Sequence, residues 1–213
     1  MSKQIIETPL SVDIRKNLKI GDTFYIRGHI YNARDMTQRY LVEDIESGVR
    51  LPFSLDGQIL FIGTGPSFIK RGDKIEVGVA GATSGSRATA FTPRIIEEYK
   101  IGAIMSKGGG MNPETLKAMA ENNCPYLAVI GGLAAYYGAQ VKNAEAVQWP
   151  EKSIEGLWKY QVETFGPVMV AIDLKGGNIY RDNEGRLKKN FLELLAKLQK
   201  TSGRTLEEWL PGR

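Results

Sequence analysis

Three cationic side chains in this sequence come at the ends of stretches that read as β-strands. Arg34 follows one alternating stretch, Arg87 lies in the loop after a second, and Lys107 follows a short apolar run. Open α/β sheets bind ligands at the carboxyl ends of their strands, and arginine binds a carboxylate or phosphate through two parallel hydrogen bonds. The pattern favours a pocket for a small polyanion, and a dicarboxylate needs about that many positive groups.

Glycine-rich loops surround two of these cations. The segment GATSGSR, residues 81–87, places hydroxyl groups and Arg87 between small residues, and Lys107 precedes three glycines and a helix capped at Asn112. Unpaired N–H groups at a helix N-terminus attract anions, and glycine lets an anion approach them. No glycine stretch completes a P-loop or a dinucleotide-binding fingerprint, so the loops do not indicate a nucleotide site.

A second interpretation of the same residues needs no ligand. Arg34 would then pair with Asp35 or another neighbour, Lys107 would be solvated, and each glycine loop would be an ordinary turn. The pattern alone leaves both interpretations open.

The scarcity of cysteine and histidine excludes whole classes of site. Cys124 is the only cysteine and His29 the only histidine in the sequence. The chain therefore cannot form an internal disulfide, nor can it ligate a zinc ion or an iron–sulfur cluster by itself. His29 alternates with apolar residues, which is typical of a polar position on a half-buried strand. Chemistry that needs such groups would have to obtain them from a partner.

The composition is that of an ordinary globular domain. Hydrophobic residues make up 42% and charged residues 24% of the chain, and no run approaches the roughly 20 apolar residues of a membrane helix. The net charge of +4 suits an anionic partner, but the absence of a long basic run does not favour nucleic acid. The first residues lack the apolar core of a secretory signal, so we expect a cytoplasmic protein without a membrane partner.

The type of predicted secondary structure changes once along the chain. Residues 21–81 read mostly as β, with alternating apolar positions between glycine and aspartate turns. Strands and helices then alternate, and a capping residue followed by proline opens predicted helices at 92–99 and 112–122. Apolar stripes at helical spacing predict further helices at 151–163 and 187–198. This order predicts a layered α/β domain with a mixed sheet.

Several short segments resemble one known family in their order and spacing, from about Gly21 to Tyr180. They are GHIYNARD, DGQILFIGTGP, GATSGSR, FTPRIIEEYKIGAIMSKGGG, YLAVIGGLAA and SIEGLWKYQVETFGPVMVAIDLKGGNIY. The chain resembles the β subunit, equivalent to the C-terminal domain, of class I iron–sulfur fumarate hydratases and L(+)-tartrate dehydratases. Each segment is short, and their shared order makes the resemblance specific.

The resemblance implies a domain organisation and a partner. It implies a swivelling β/β/α-type domain over residues 21–185, with an N-terminal arm at 1–20 and a C-terminal helical extension at 186–213. It also implies an α subunit that carries a [4Fe–4S] cluster on three cysteines, with one iron open to the substrate. Cys124 has no implied role in that cluster. The chain would work in a heteromer and be inactive alone.

The resemblance also assigns roles to individual residues. Arg34, Arg87 and Lys107 would bind the substrate carboxylates, and Thr83 would be the base that takes a proton from the carbon beside the departing hydroxyl. The reaction is the reversible addition of water across a carbon–carbon double bond, with the open iron as Lewis acid and the cations offsetting charge on the carboxylate. A threonine hydroxyl needs a nearby base or cation to lose its proton, and the family supplies an aspartate from the α subunit.

Departures from the family pattern lie in the same region. Gln38 stands where the family has a histidine, Ala82 replaces a proline, Ser84 replaces a threonine, and Ala88-Thr89 follows Arg87 where Met-Asp is common. The threonine, arginine and lysine of the core set survive. The substrate is therefore open among fumarate or malate, tartrate or oxaloacetate, and other 2-hydroxy acids.

Two hypotheses from different classes follow. The first is the β subunit of an iron–sulfur hydro-lyase for a small hydroxy-dicarboxylate. The alternative is a non-catalytic anion- or nucleic-acid-binding module on the same fold, for which Tyr25, Arg27 and Tyr31 on one strand face would suit base stacking. A neighbouring coding region for a cysteine-bearing α chain favours the first hypothesis, whereas nucleic-acid affinity that falls steeply with salt favours the second.

Overall fold

A computed structural model describes residues 4–62, 68–71, 74–82, 84–203 and 208 of the chain. The chain divides into two compact units, Met1–Gly177 and Asn178–Arg213. No helix in the described ranges is long and apolar enough to cross a membrane.

The described residues of the first unit form nine strands. They are β1 (Ile5–Glu7), β2 (Thr23–Ala33), β3 (Ile59–Ile62), β4 (Phe68–Arg71), β5 (Lys74–Val77), β6 (Ala103–Lys107), β7 (Tyr126–Val129), β8 (Val141–Gln148) and β9 (Leu157–Ile172). Seven of them form one mixed sheet in the order β1-β2-β3-β6-β7-β9-β8, and β4 pairs with β5 in a separate hairpin.

Five neighbouring strands of the sheet run parallel, since β1 also pairs in parallel with β2. The carboxyl ends of the other four, β2, β3, β6 and β7, meet at one edge. β2 pairs with β3, β3 with β6, and β6 with β7, each time in parallel. β9 runs antiparallel to both β7 and β2, and it thereby closes the five strands β2, β3, β6, β7 and β9 into a ring. The inner face of the ring is a hydrophobic core that includes Ile30, Phe61, Met105, Val129 and Phe165.

Helices accompany the sheet in the first unit. They are α1 (Val12–Asn17), α2 (Asp35–Glu46), α3 (Thr92–Tyr99), α4 (Pro113–Glu121) and α5 (Ala134–Gly138), with 3-10 helices at Gly85–Ala88 and Pro150–Glu155. α3 contacts both α2 and α4. Leu60 and Ile104 alternate with the core residues of their strands and are also fully buried, so these strands are covered on both faces, as parallel strands require.

The two helices predicted from capping signals are confirmed. α3 begins at Thr92 with a proline in its first turn, so Phe91 occupies the N-cap position that was predicted for Thr92. α4 follows Asn112, whose side-chain oxygen accepts a hydrogen bond from the Thr115 N–H at 2.9 Å. A proline at the start of a helix costs no hydrogen bond and its φ already suits the helix. The predicted α/β class with a layered, mixed sheet is likewise confirmed.

The prediction that residues 21–81 are mostly β is wrong over Asp35–Glu46, which form helix α2. The side chains that α2 buries are Thr37, Gln38 and Leu41. Because two of these three side chains are polar, the sequence of α2 almost lacks the apolar stripe by which an amphipathic helix is predicted.

The predicted amphipathic helix at residues 151–163 is also wrong. The segment is the end of a 3-10 helix followed by the first part of β9. Trp158, Tyr160 and Val162 all belong to the hydrophobic core, and this spacing of two is that of a strand. β9 pairs here with β8 and β2, and such tertiary pairing overrides a local resemblance to helical spacing.

The second unit contains one long helix, α6 (Ile179–Ser202), which includes the stripe predicted at 187–198. The side chain of Asn178 accepts hydrogen bonds from the N–H groups of Tyr180 and Arg181 and so caps the helix. The helix ends at Gly203, whose φ of +68° is the left-handed conformation common after a helix.

Candidate active site

The elements that carry the three predicted cations adjoin one another at the carboxyl edge of the parallel strands. Arg34 directly follows β2 and precedes α2, and Lys107 is the last residue of β6. Arg87 lies in the 3-10 helix Gly85–Ala88, which contacts both β6 and α2. The structure therefore places these residues on neighbouring elements at the edge where α/β sheets bind ligands.

Gly81 and Gly85 each allow the backbone at their own position to lie close against the strand ends. Gly81 has a φ of +89°, and a Cβ atom there would lie 3.2 Å from Phe61 Cζ and 3.3 Å from Val129 Cγ2. A Cβ atom on Gly85 would lie 2.5 Å from Ser106 Oγ. Real Cβ atoms do not approach so closely, so Gly85 holds the segment nearer to β6 than any other residue could.

A backbone bridge joins this segment to Lys107. Ser84 pairs with Lys107 in the parallel sense, so the segment extends the sheet at the end of β6. The loop after Lys107 packs on the same segment, because a Cβ atom on Gly110 would lie 3.3 Å from Ser86 Cβ. The loops of Arg87 and Lys107 thus form one packed surface.

Arg87 and Lys107 are not engaged by acidic side chains in the described part of the chain. Arg87 is exposed, whereas its neighbour Ala88 is buried, and Lys107 is half-buried. Neither side chain belongs to any of the ion pairs formed between described residues. The buried Ala88 fixes the backbone while the guanidinium stays accessible to a ligand.

Arg34 differs because it already has an acidic partner. Its Nη1 lies 2.9 Å from Glu155 Oε1. Burial raises the pKa of Glu155, with Asp35 adding to the effect and Arg34 opposing it. The interpretation in which Arg34 pairs with an acid therefore holds in this structure, with Glu155 as the acid in place of Asp35.

Thr37 ties the backbone of Arg34 to the segment that carries Glu155. The Thr37 hydroxyl accepts a hydrogen bond from the Arg34 N–H at 3.1 Å and donates one to the Glu155 carbonyl at 2.9 Å. Thr37 is fully buried. The start of α2 and the end of the 3-10 helix Pro150–Glu155 therefore hold each other in place around Arg34.

Thr83, the residue predicted as the base, lies outside the described residues, as do the last four residues, 63–66, of the segment DGQILFIGTGP. The residues on either side of Thr83, Ala82 and Ser84, are among the described residues. The role of Thr83 stays a prediction.

The residues of this chain do not fit an iron–sulfur cluster. No group of three or more histidine, cysteine, aspartate or glutamate side chains that could hold a metal ion occurs among the described residues. Cys124 is fully buried, and burial raises the pKa of its thiol to about 12. Iron ligation needs the thiolate, which this environment disfavours.

Comparison with known proteins decides the family. The family described as Fumarase C-terminus matches residues 4–183. This chain belongs to the Fumarase C-terminus family. The resemblance inferred from the short segments is thereby confirmed.

Relatives of this Fumarase C-terminus protein include dehydratase subunits. The chain is 32% identical over 192 residues to the L(+)-tartrate dehydratase subunit beta of Escherichia coli, and the match covers 90% of this chain and 91% of that subunit. The subunit of the same name from Shigella flexneri has the same identity and coverage. A Geobacillus stearothermophilus protein, named provisionally as a class I fumarate hydratase, is 33% identical over 91% of this chain and 36% of its own length.

The sequence patterns did not predict two residues that contact Arg34, Glu155 and Thr37. The predicted helix at 151–163 would have placed Glu155 on a helix face, and α2 was not predicted at all. Gly156, directly after Glu155, was the available signal for a break in that helix.

Proposed function

We propose that this chain is the β subunit of an iron–sulfur hydro-lyase that reversibly adds water to, or removes it from, a small hydroxy-dicarboxylate. The substrate is of the fumarate or malate type, or of the tartrate type. The partner is an α subunit, which holds the [4Fe–4S] cluster in a cytoplasmic heteromer, and this chain has no activity alone.

The bridge between Ser84 and Lys107 is the observation that carries this proposal. It joins the loop of Arg87 to the end of β6, so two accessible cations belong to one packed surface. A third cation, Arg34, directly precedes the adjoining α2. Such a surface suits a ligand with more than one carboxylate.

The cations of this chain would bind and orient the substrate. Arg34 and Arg87 hold carboxylates, because a guanidinium can donate two parallel hydrogen bonds to one carboxylate. Lys107 adds a positive charge that offsets the negative charge developing on the carboxylate as the neighbouring carbon loses its proton.

Thr83 would accept that proton, with its hydroxyl activated by the cations and by an acid from the partner. We expect Thr83→Val to leave assembly with the partner intact and to reduce turnover to near background, because valine keeps the shape and lacks the oxygen. Turnover at the wild-type rate would remove Thr83 from this role.

The proposal is tested by co-expressing this chain, under anaerobic conditions, with a cysteine-bearing α chain from the same source. The purified complex is assayed with fumarate, malate and both tartrate enantiomers, and each chain is assayed alone. We expect turnover of at least one dicarboxylate by the complex and none by either chain. A complex that turns over none of them, or a single chain that is fully active, would contradict the proposal.

A further inference from the structure

A buried hydrogen-bonded chain links the backbone beside Arg34 to the backbone beside Arg87. We infer that Gln38 and Thr92 are positioning residues that set the spacing of these two arginines, and thereby select the length of the dicarboxylate. This inference rests on the proposed function, since it takes the two arginines to bind different carboxylates of one substrate.

Gln38 forms the first half of the link. Its side-chain Nε2 donates a hydrogen bond to the Ala33 carbonyl at 3.4 Å. Ala33 is the residue directly before Arg34 and is the last residue of β2. Gln38 therefore contacts the peptide unit from which Arg34 departs.

Thr92 forms the second half. Its hydroxyl lies 2.8 Å from Gln38 Oε1 and 2.9 Å from the Ala88 carbonyl oxygen. One hydroxyl proton is thus placed between two acceptors, one on α2 and one on the 3-10 helix that carries Arg87. Since Ala88 directly follows Arg87, the link ends at the backbone of the residue after the second arginine.

All four residues of the link are fully buried: Ala33, Gln38, Ala88 and Thr92. Buried polar groups that lose their partners pay a desolvation cost, so the amide and the hydroxyl hold each other in one arrangement. Leu41, Ile95 and Ile96 nearby on α2 and α3 are fully buried and apolar, and they would pack the two helices together without any polar pair. The polar pair adds a fixed distance between two carbonyl groups, which apolar packing does not specify.

A purely structural role and a positioning role predict different results. Loss of a structural hydrogen bond lowers the melting temperature and the yield of complex, and it leaves the preference among ligands unchanged. Loss of a positioning bond lets the arginines move relative to each other, so the preference for one ligand length weakens.

The test uses the assembled complex and three saturated dicarboxylates as competitive inhibitors: malonate, succinate and glutarate. The inhibition constant of each is measured for the wild type, Thr92→Val and Thr92→Ser, together with kcat and KM for the substrate. For Thr92→Val we expect the inhibition constant of the best inhibitor to rise by about fivefold, as for the loss of one hydrogen bond. The inhibition constants of the three dicarboxylates should become more similar to one another. KM should rise more than kcat falls, and Thr92→Ser should keep the wild-type ratios because it retains the hydroxyl.

Thr8→Val is the matched control. The Thr8 hydroxyl also donates to a backbone carbonyl, that of His29, at 2.8 Å, and it belongs to neither arginine-bearing element. We expect this variant to keep the wild-type ratios. If Thr92→Val does not assemble, Gln38→Met decides the question, because it removes the amide while keeping the length of the side chain.

The outcomes separate this inference from the proposed function. A wild-type complex without turnover of any dicarboxylate would overturn the proposed function and this inference with it. An active wild type whose inhibitor ratios are unchanged in Thr92→Val, or in Gln38→Met if that variant is the one that assembles, would overturn this inference alone.

Discussion

Arg34 and Arg87 have different surroundings, although both come from the same kind of sequence position. Arg34 Nη1 lies 2.9 Å from Glu155 Oε1, so one edge of its guanidinium is already oriented. Arg87 is exposed, and its guanidinium forms no ion pair with the described residues. A carboxylate ligand would therefore order Arg87 more than Arg34, and binding should depend strongly on the shape of the Arg87 side chain.

Replacement of Arg87 by lysine tests this dependence. We expect Arg87→Lys to lower kcat/KM of the assembled complex by at least about tenfold, because an ammonium group cannot form the paired hydrogen bonds of a guanidinium. Arg39→Lys is the control, since Arg39 forms an exposed pair with Glu43 on α2. Near-normal kinetics for Arg87→Lys would exclude Arg87 from the substrate site.

The burial of the Cys124 thiol can be tested by alkylation. Burial raises the pKa of its thiol to about 12, and the side chain is fully buried. We expect the native chain to resist iodoacetamide at neutral pH and the unfolded chain to be alkylated at this position, as measured by mass spectrometry, because only the thiolate reacts. Rapid alkylation of the native chain would contradict the described packing.

The loop of the site depends on the absence of a side chain at Gly85. A Cβ atom there would lie 2.5 Å from Ser106 Oγ, and Ser106 is held by a hydrogen bond to the Ile62 carbonyl at 2.8 Å. We expect Gly85→Ala to reduce stability by about 1–3 kcal/mol, typical of overpacking, and to lower kcat/KM by moving the loop. Gly185→Ala, where nothing lies within 4 Å of the added Cβ, is the control for thermal unfolding. A Gly85→Ala variant with unchanged stability and kinetics would show that the loop does not lie against β6.

The turn after β9 carries a pH-dependent contribution to stability. Burial opposes ionisation of Asp173, but hydrogen bonds from the N–H groups of Gly177, Lys175 and Ile20, with the charge of Lys175, outweigh it and lower the pKa of this carboxyl group. A lowered folded-state pKa adds stability above the unfolded pKa, and this stability is lost as the pH falls through the folded pKa.

Asp173→Asn should therefore melt at a lower temperature than the wild type at neutral pH. The difference should shrink as the pH falls below about 4, the pKa of an unfolded aspartate. Thermal unfolding across a pH series measures it, with the exposed Glu121→Gln as control. A difference that stays constant at low pH would show that the Asp173 charge does not contribute.

Elements with strong local signals were predictable from the sequence, and the others were not. α3 and α4 each have a proline in the first turn, so both helices were predicted. Asn112 caps α4 as predicted, whereas Thr92 is the first residue of α3 and not its cap. α2 buries Thr37 and Gln38, so it lacks the apolar stripe that marks a helix. β9 is extended because it pairs with β2 and with β8, and a local sequence pattern contains no information about such pairing.

The candidate site was predictable to the same extent. Arg34, Arg87 and Lys107 could be chosen because each follows a predicted strand, and the carboxyl ends of parallel strands meet at one edge. The contact of Arg34 with Glu155 joins positions far apart in sequence, and neither local pattern around them predicts it.

At the level of the whole molecule, the proposed partnership with an α subunit is supported by the cations of the candidate site and by the names of the relatives. Its described residues present cations at one sheet edge and no set of side chains that could hold a metal ion. Membership of the Fumarase C-terminus family and 32% identity to a dehydratase subunit beta are what would be expected of one subunit of a two-subunit lyase.

The proposed partnership with a cluster-bearing α subunit can be tested directly. The tagged chain is purified anaerobically from its own source, the co-purifying chains are identified by mass, and iron is counted. We predict one cysteine-bearing partner in equal amount and about four iron atoms per pair, as for one [4Fe–4S] cluster. An iron-free chain without a partner, from cells shown to express it, would contradict this partnership.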